Sequence, residues 1–283
     1  MITIEDYASD FESEWCPGCG NFGILEAMKK ALVSLDLAPH QVLMVSGIGQ
    51  AAKTPHFLKC NTIHGLHGRA LPVATGAKLA NHDLTILVNS GDGDCYGEGG
   101  NHFMHAIRRN LDVTLIAHDN RIYGLTKGQA SPTTDLGTAT RMQPGGTVSE
   151  AFNPLAVALA LGAGFVARGF SGDPDHLSTL IQAGIRHKGF ALIDVLQPCV
   201  SFNRVQTYGW YKQRVFDLAD DGHPTNDWHA AMERSRQWGE RIPIGIFYQE
   251  SKETFTDRIG VLNRGALIDQ TAPEVDWAQL MES

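Results

Sequence analysis

Four short apolar runs rich in branched residues, at positions 41–46, 84–88, 113–118 and 191–196, constrain this chain more than any other feature. Gly or Asp follows each of the first three, and helix-like stretches follow the second and third. An early helix is expected over residues 21–35, where Phe22, Ile24, Leu25, Met28, Ala31, Leu32 and Leu35 recur at helical spacing. Another is expected over residues 174–188, just ahead of the fourth run. Strands alternating with helices predict an α/β fold, a mostly parallel sheet with helices on both faces.

The 283 residues suffice for one large domain plus an extension. Beyond Gln197 the chain becomes aromatic and polar, and only residues 242–248 again look strand-like. Residues 1–200 are therefore expected to form the ligand-binding domain and residues 201–283 a C-terminal extension packed on it. Residues 136–146, rich in glycine, read as a long and potentially functional loop. The net charge of -8 carries no basic block, which argues against a nucleic-acid partner. There is no leader-like start and no run of about 18 to 20 apolar residues, so a membrane span is not expected and the cytoplasm is.

The strongest chemical signal is Gly91-Asp92-Gly93-Asp94, directly after the second run. A turn opening a helix over about residues 101–109 would explain it alone, but it also suits a phosphate at a helix N-terminus. Asp92 offers the hard oxygen that Mg2+ prefers. The third run ends at Asp119-Asn120, so parallel pairing would bring Asn120 beside Asp92, with the Ile122 carbonyl as a third oxygen. Open α/β sheets bind ligands in such crevices at the carboxyl ends of strands.

Gly-Asp-Gly followed about 28 residues later by Asn-x-x-Tyr-Gly resembles the thiamine-diphosphate motif. Further strings narrow the likeness: Trp15-Cys16-Pro17-Gly18-Cys19-Gly20-Asn21, Ser46-Gly47-Ile48-Gly49, Leu66-His67-Gly68-Arg69-Ala70, Tyr123-Gly124-Leu125-Thr126-Lys127-Gly128-Gln129, Asp194-Val195-Leu196-Gln197-Pro198-Cys199 and Arg241-Ile242-Pro243-Ile244-Gly245-Ile246-Phe247-Tyr248. In order and spacing they resemble the beta subunits of 2-oxoacid:ferredoxin oxidoreductases, over residues 14–248. The resemblance implies Asp92, Asn120 and the Ile122 carbonyl on Mg2+, and His67, Gly93, Asp94, Gly124 and Leu125 around thiamine diphosphate. It places Ile48, Gly49, Gln50 and Ala51 on a loop over the cofactor and Lys53 at the carboxylate of the oxoacid. Read without it, Lys53 is a solvated lysine and His67 an ordinary hydrogen-bonded histidine.

Cys16 and Cys19 flank Pro17-Gly18, a spacing that suits Zn2+ or an iron–sulfur cluster. The resemblance favours a [4Fe-4S] cluster and adds Cys199, but its pattern has a cysteine where this chain carries Gln50. An amide is a poor replacement for a soft thiolate. Cys60 could replace it or could be a small buried side chain; a non-cysteine ligand, or a labile or lost cluster, also stays open. Cys95 reads as a packing residue.

The function implied is CoA-acylating, reversible oxidative decarboxylation of a 2-oxoacid, with 2-oxoglutarate as the leading substrate, and electrons passing through the cluster to ferredoxin. Only one diphosphate-type unit is visible, so an alpha subunit must supply the pyrimidine-binding domain, in an (αβ)2 assembly. The rival readings are a thiamine-dependent decarboxylase without electron transfer and a non-catalytic metal-binding assembly subunit.

Overall fold

The computed structural model describes residues 1–271 and 281. Eight strands form one sheet: β1 (Val42–Ser46), β2 (Asn61–His64), β3 (Thr85–Gly91), β4 (Thr114–Asp119), β5 (Phe165–Phe170), β6 (Ala191–Leu196), β7 (Val215–Asp217) and β8 (Ile242–Gln249). Their order is β2-β1-β3-β4-β6-β5-β8-β7. Every pairing is parallel except β5 with β8. The chain beyond residue 200 thus contributes two strands that continue the sheet.

Every residue of β1, β4, β5 and β6 is buried, because helices cover both faces. On one face α1 (Asn21–Ser34) and α5 (Pro174–Arg186) pack Ile24, Met28, Leu177 and Ile181 against Met44, Leu87, Ile116 and Ile193. On the other, α2 (Ala70–Ala80), α3 (Gly100–Arg109), α4 (Pro154–Ala160) and α7 (Trp228–Ser235) pack Leu71, Phe103, Leu155 and Ala231 among residues that include Val45, Val88, Leu115 and Leu192. Successive strand residues serve opposite cores, the period-two consequence of the pleat. A short α6 (Tyr208–Lys212) adds buried Tyr211 beside Phe170 and Ile242. Among the described residues no helix is long and apolar enough to cross a membrane.

The expected strands and the helices at 21 and 174 fall within a few residues of their places. Two expectations change. The helix after Gly-Asp-Gly does not face the turn directly: a single wide π-turn, Gly93–Glu98, intervenes before α3. The third run leads into an irregular segment, residues 120–153, in place of a helix. Its backbone is held by local hydrogen bonds, such as those from Thr134 Oγ1 to the Arg121 carbonyl and from Thr147 Oγ1 to the Asp135 carbonyl, both 2.7 Å.

A buried polar chain ties α1 to the sheet centre. Asn89 Nδ2 donates to the Ala51 carbonyl and Thr54 Oγ1, so its Oδ1 must accept from His118 Nε2, 2.8 Å away. Burial pushes His118 down to about 3, so the ring is neutral and its Nδ1 is an acceptor. That nitrogen lies 2.8 Å from the Asn21 amide, whose Nδ2 otherwise has no partner; a half-turn of the amide supplies the missing donor. Asn89→Ala removes the group serving three buried partners, and each unsatisfied group costs about 1–3 kcal/mol. With rearrangement and water relieving part of that cost, a net loss of about 2–3 kcal/mol is expected, and at about 2–4 °C per kcal/mol for a chain of this size calorimetry should show Tm falling by roughly 4–12 °C.

Candidate active site

The site begins with register. β3 and β4 pair so that Gly91 stands opposite His118, and both strands turn immediately afterwards at the same sheet edge. Asp92, Gly93, Asp94, Asn120, Ile122, Gly124 and Leu125 then line one cleft of about 480 Å3 together with Ile48, Gln50, Ala51 and His67. Gly91, Tyr123 and Thr126 complete its wall. The residues expected around the cofactor and its substrate are therefore brought together, with the exceptions of Gly49 and Lys53. That lysine is absent from the lining and its Nζ lies 3.6 Å from Glu14 Oε2.

Asp92 is buried, and the Ser131 and Thr133 hydroxyls approach its Oδ2 at 2.5 and 2.6 Å. Thr133 Oγ1 also lies 2.7 Å from Asp119 Oδ1. One hydroxyl carries one hydrogen, so both contacts are hydrogen bonds only when one of the carboxyls is protonated. Burial and the neighbouring Asp119 charge accordingly push Asp92 up to about 7, and burial raises Asp119 as well. Asn120 Oδ1 accepts from the Ile122 N–H at 2.9 Å, which fixes the amide and turns the backbone at Arg121 into the left-handed region, φ 60°.

Asp94 has a different task. Its Oδ1 accepts from the Gly68 and Ile48 N–H groups at 2.6 and 3.1 Å, while the Ser90 hydroxyl donates to Oδ2. One buried carboxylate therefore joins three loops around the cleft. Gly47 permits the approach, since a Cβ there would overlap the Asp94 carboxylate. Gly93 is equally crowded: a Cβ would run into the Tyr123 ring. His67 Nδ1 lies 3.2 Å from Glu98 Oε2 and 3.6 Å from Asp94 Oδ1, yet is buried without a hydrogen-bonding partner.

A second cleft of about 380 Å3 adjoins the first. Cys16, Cys19, Cys199, Trp15, Gln50 and Gln197 are among its lining residues. Gln50, Asn120 and Gly124 line both clefts. A Cβ on Gly124 would stand 3.9 Å from both Asn120 Nδ2 and Cys199 Sγ. Burial raises the Cys19 thiol, and Ser201 Oγ donates to Cys16 Sγ at 3.1 Å. Cys60 lies elsewhere: its thiol donates to the Asn61 carbonyl at 3.3 Å and packs beside Tyr7, Met44 and Leu58. Cys95 is buried in the core on the α2 and α3 face. Among the described residues no three His, Cys, Asp or Glu side chains are grouped so as to hold a metal ion by themselves.

Ser131, Thr133, Ser90, Trp15 and Gln197 are site residues that the sequence reading passes over. The hydroxyl-rich run Ser131-Pro132-Thr133-Thr134, directly after the Tyr-Gly string, was the available signal.

The thiamine pyrophosphate enzyme C-terminal TPP-binding domain matches residues 40–195, and the C-terminal part of the pyruvate ferredoxin oxidoreductase beta subunit matches residues 199–264. The fold is that of a thiamine-pyrophosphate enzyme domain. A 2-oxoacid:ferredoxin oxidoreductase beta subunit from Aeropyrum pernix is 47% identical over 277 residues, covering 94% of this chain and 87% of its own length. The 2-oxoglutarate oxidoreductase subunit KorB of Mycobacterium tuberculosis is 44% identical over 199 residues, 70% of this chain and 53% of that protein. A solved 2-oxoglutarate:ferredoxin oxidoreductase from Magnetococcus marinus, with 2-oxoglutarate, coenzyme A and succinyl-CoA bound, superposes with a TM-score of 0.92 at 36% identity, covering 99% of this chain and 95% of that one. This chain belongs to the 2-oxoacid:ferredoxin oxidoreductase beta subunits, and so forms part of an enzyme complex.

Gly47→Ala must displace either the Asp94 carboxylate or the loop carrying Ile48. A thermal scan should show a loss of about 1–3 kcal/mol, typical of overpacking; a variant as stable as the parent would mean that the three-loop latch is slack.

Proposed function

We propose that this chain binds thiamine diphosphate through Mg2+ at Asp92, Asn120 and the Ile122 carbonyl, holds a [4Fe-4S] cluster at Cys16, Cys19 and Cys199, and serves the CoA-acylating oxidative decarboxylation of 2-oxoglutarate. The observation that carries this reading is the wall of Gln50, Asn120 and Gly124 common to the two clefts. Adjoining clefts bring a cofactor and a cluster close enough to exchange electrons, which favours ferredoxin reduction over simple decarboxylation.

The residues present fit the groups. A carboxyl pushed up to about 7 by burial and by the neighbouring Asp119 charge suits a divalent cation, which would stabilise its ionised form. Three cysteines on one cleft, with two unpartnered amide oxygens beside them, suit a cluster. Thiamine diphosphate, when bound, supplies the carbon nucleophile and the electron sink for loss of CO2. The cluster supplies single-electron transfer.

The chain's own residues do the rest. Ser131 and Thr133 hold Asp92 in place by bonding one of its oxygens. Asp94 fixes Ile48 and Gly68, and with them the loop of Ile48, Gly49, Gln50 and Ala51 over the cleft. His67 lines the cleft, and Gly93, Gly124 and Leu125 leave room for the cofactor. Lys53 is assigned to the carboxylate of the oxoacid; its ion pair with the 81% exposed Glu14 side chain is weak enough to exchange. The assignment to 2-oxoglutarate draws on the relatives named for that substrate. The alpha subunit would supply the pyrimidine-binding domain, in an (αβ)2 assembly working with ferredoxin and coenzyme A.

Asp92→Ala should leave the αβ complex folded but unable to retain thiamine diphosphate and Mg2+ through gel filtration; retention in the variant would sink the metal assignment. Metal analysis of the anaerobic complex should find about four irons and matching sulfide per chain, whereas zinc without iron would overturn electron transfer.

The shared proton gives a pH dependence. Asp92 titrates near 7, above its ordinary 3.8, and Mg2+ needs the ionised form, so below about pH 7 loading must expel a proton. Titration calorimetry at pH 6 in buffers of different ionisation enthalpy should detect that release. Asp119→Asn removes the neighbouring charge and should reduce it, the diphosphate's own protons cancelling in the comparison. Equal release from both proteins would contradict the shared proton.

A further inference from the structure

We propose that the Gln50 side chain closes the fourth corner of the three-cysteine cleft, leaving the bound cluster with three irons under thiolate and one exchangeable iron under an amide oxygen. This deepens the cluster reading above and rests on it.

The cleft offers three thiols and two amides, from Gln50 and Gln197. Both amide oxygens are buried and, among the described residues, without a hydrogen-bonding partner. Buried carbonyl oxygens are seldom left so, because they have given up water for nothing; a Lewis acid at the same spot removes the penalty. Of the two, Gln197 is already engaged, its Nε2 donating to Cys19 Sγ at 3.5 Å. The Gln50 side chain makes no hydrogen bond among the described residues, although its backbone is firmly held. Trp15 Nε1 donates to the Gln50 carbonyl at 2.8 Å, and Trp15 is itself wedged edge-on against Phe22 and Phe57, at 5.4 and 4.8 Å between ring centroids. Since Trp15 directly precedes Cys16, this bond ties the amide-bearing loop to the first cysteine of the cleft. The remaining thiols, Cys60 and Cys95, pack in the two cores away from it.

A neutral oxygen holds iron far more weakly than a thiolate does. One corner should therefore be labile. Loss of one electron to ferricyanide takes [4Fe-4S]2+ to [4Fe-4S]3+; departure of Fe2+ from the oxygen-ligated corner then leaves [3Fe-4S]+, with charge and iron conserved. With a fourth thiolate the same oxidation should leave all four irons in place.

The test uses the αβ complex, purified without oxygen, treated with one equivalent of ferricyanide and desalted. The expected result is the electron paramagnetic resonance signal of an oxidised three-iron cluster, with loss of about one iron in four. Both effects should reverse with Fe2+ and thiol, and 57Fe added then should occupy a single site by Mössbauer spectroscopy. In Q50C the signal should be absent and all the iron retained. Should the wild-type complex hold its full iron through the same treatment, Gln50 is not the weak corner and the proposal is wrong. Absence of iron and sulfide before oxidation, or iron unchanged in C19S, would instead remove the cluster from this chain altogether. The wild-type measurement stands alone even if a variant fails to assemble.

Discussion

Parallel pairing of β3 with β4, Gly91 opposite His118, is the constraint on which the site depends. The two strands stop at the same level, and each reverses at once into a segment that cannot continue the sheet. Asp92 and Asn120 meet there because the sheet has run out. No loop of chance geometry is needed to bring them together. A register slip of one residue in either strand would turn its side chains to the other face, so the apolar alternation that fixes the two cores also fixes which residues stand at the cleft.

The polar groups behind that edge are costly and are held accordingly. Asp92 and Asp119 face each other across the Thr133 hydroxyl, while Asp194 is pushed up to about 7 by burial and by Asp119. Arg168 relieves part of this, its Nε 3.4 Å from Asp194 Oδ2. Arg121 spans the Thr133 carbonyl and Asp135, stacked on Trp238 at 4.0 Å. The same arginine stands in the left-handed region between Asn120 and Ile122. Its clamp keeps the strained turn from relaxing, and so keeps Asn120 and Ile122 on the wall of the cleft.

Much of this was legible in the sequence where a segment was uniformly apolar. β1, β3, β4 and β6 are buried on both faces and read as runs. β2 does not, because Asn61-Thr62-Ile63-His64 is an exposed edge strand. β5 was hidden by Arg168, a charge placed inside the sheet only because Asp194 stands opposite it on β6. α2 was hidden by Pro72 and Gly76, which weaken a helical reading although tertiary packing overrides them. In the site, the acid and amide were visible from their spacing. The Ser131 and Thr133 hydroxyls were not, since an irregular segment carries them back by a path no periodicity records. Cys60 follows the same loop in the chain, but its thiol bonds the Asn61 carbonyl and packs in the core of α1 and α5, which sequence spacing does not reveal. Lys53 stands outside the cleft lining, paired with the exposed Glu14.

The two clefts also share more than a boundary. Gln50 and Ala51 follow one another on a loop whose front is bonded by Trp15, beside the cysteines, and whose rear is bonded by Asn89, at the sheet centre. Asn89 is in turn joined through His118 to Asn21, two residues beyond Cys19. The loop is therefore held from both ends by the segment that bears the first two cysteines. Since packed elements move as bodies and do not deform continuously, a displacement of the cysteine-bearing segment would carry with it the loop that stands between the two clefts.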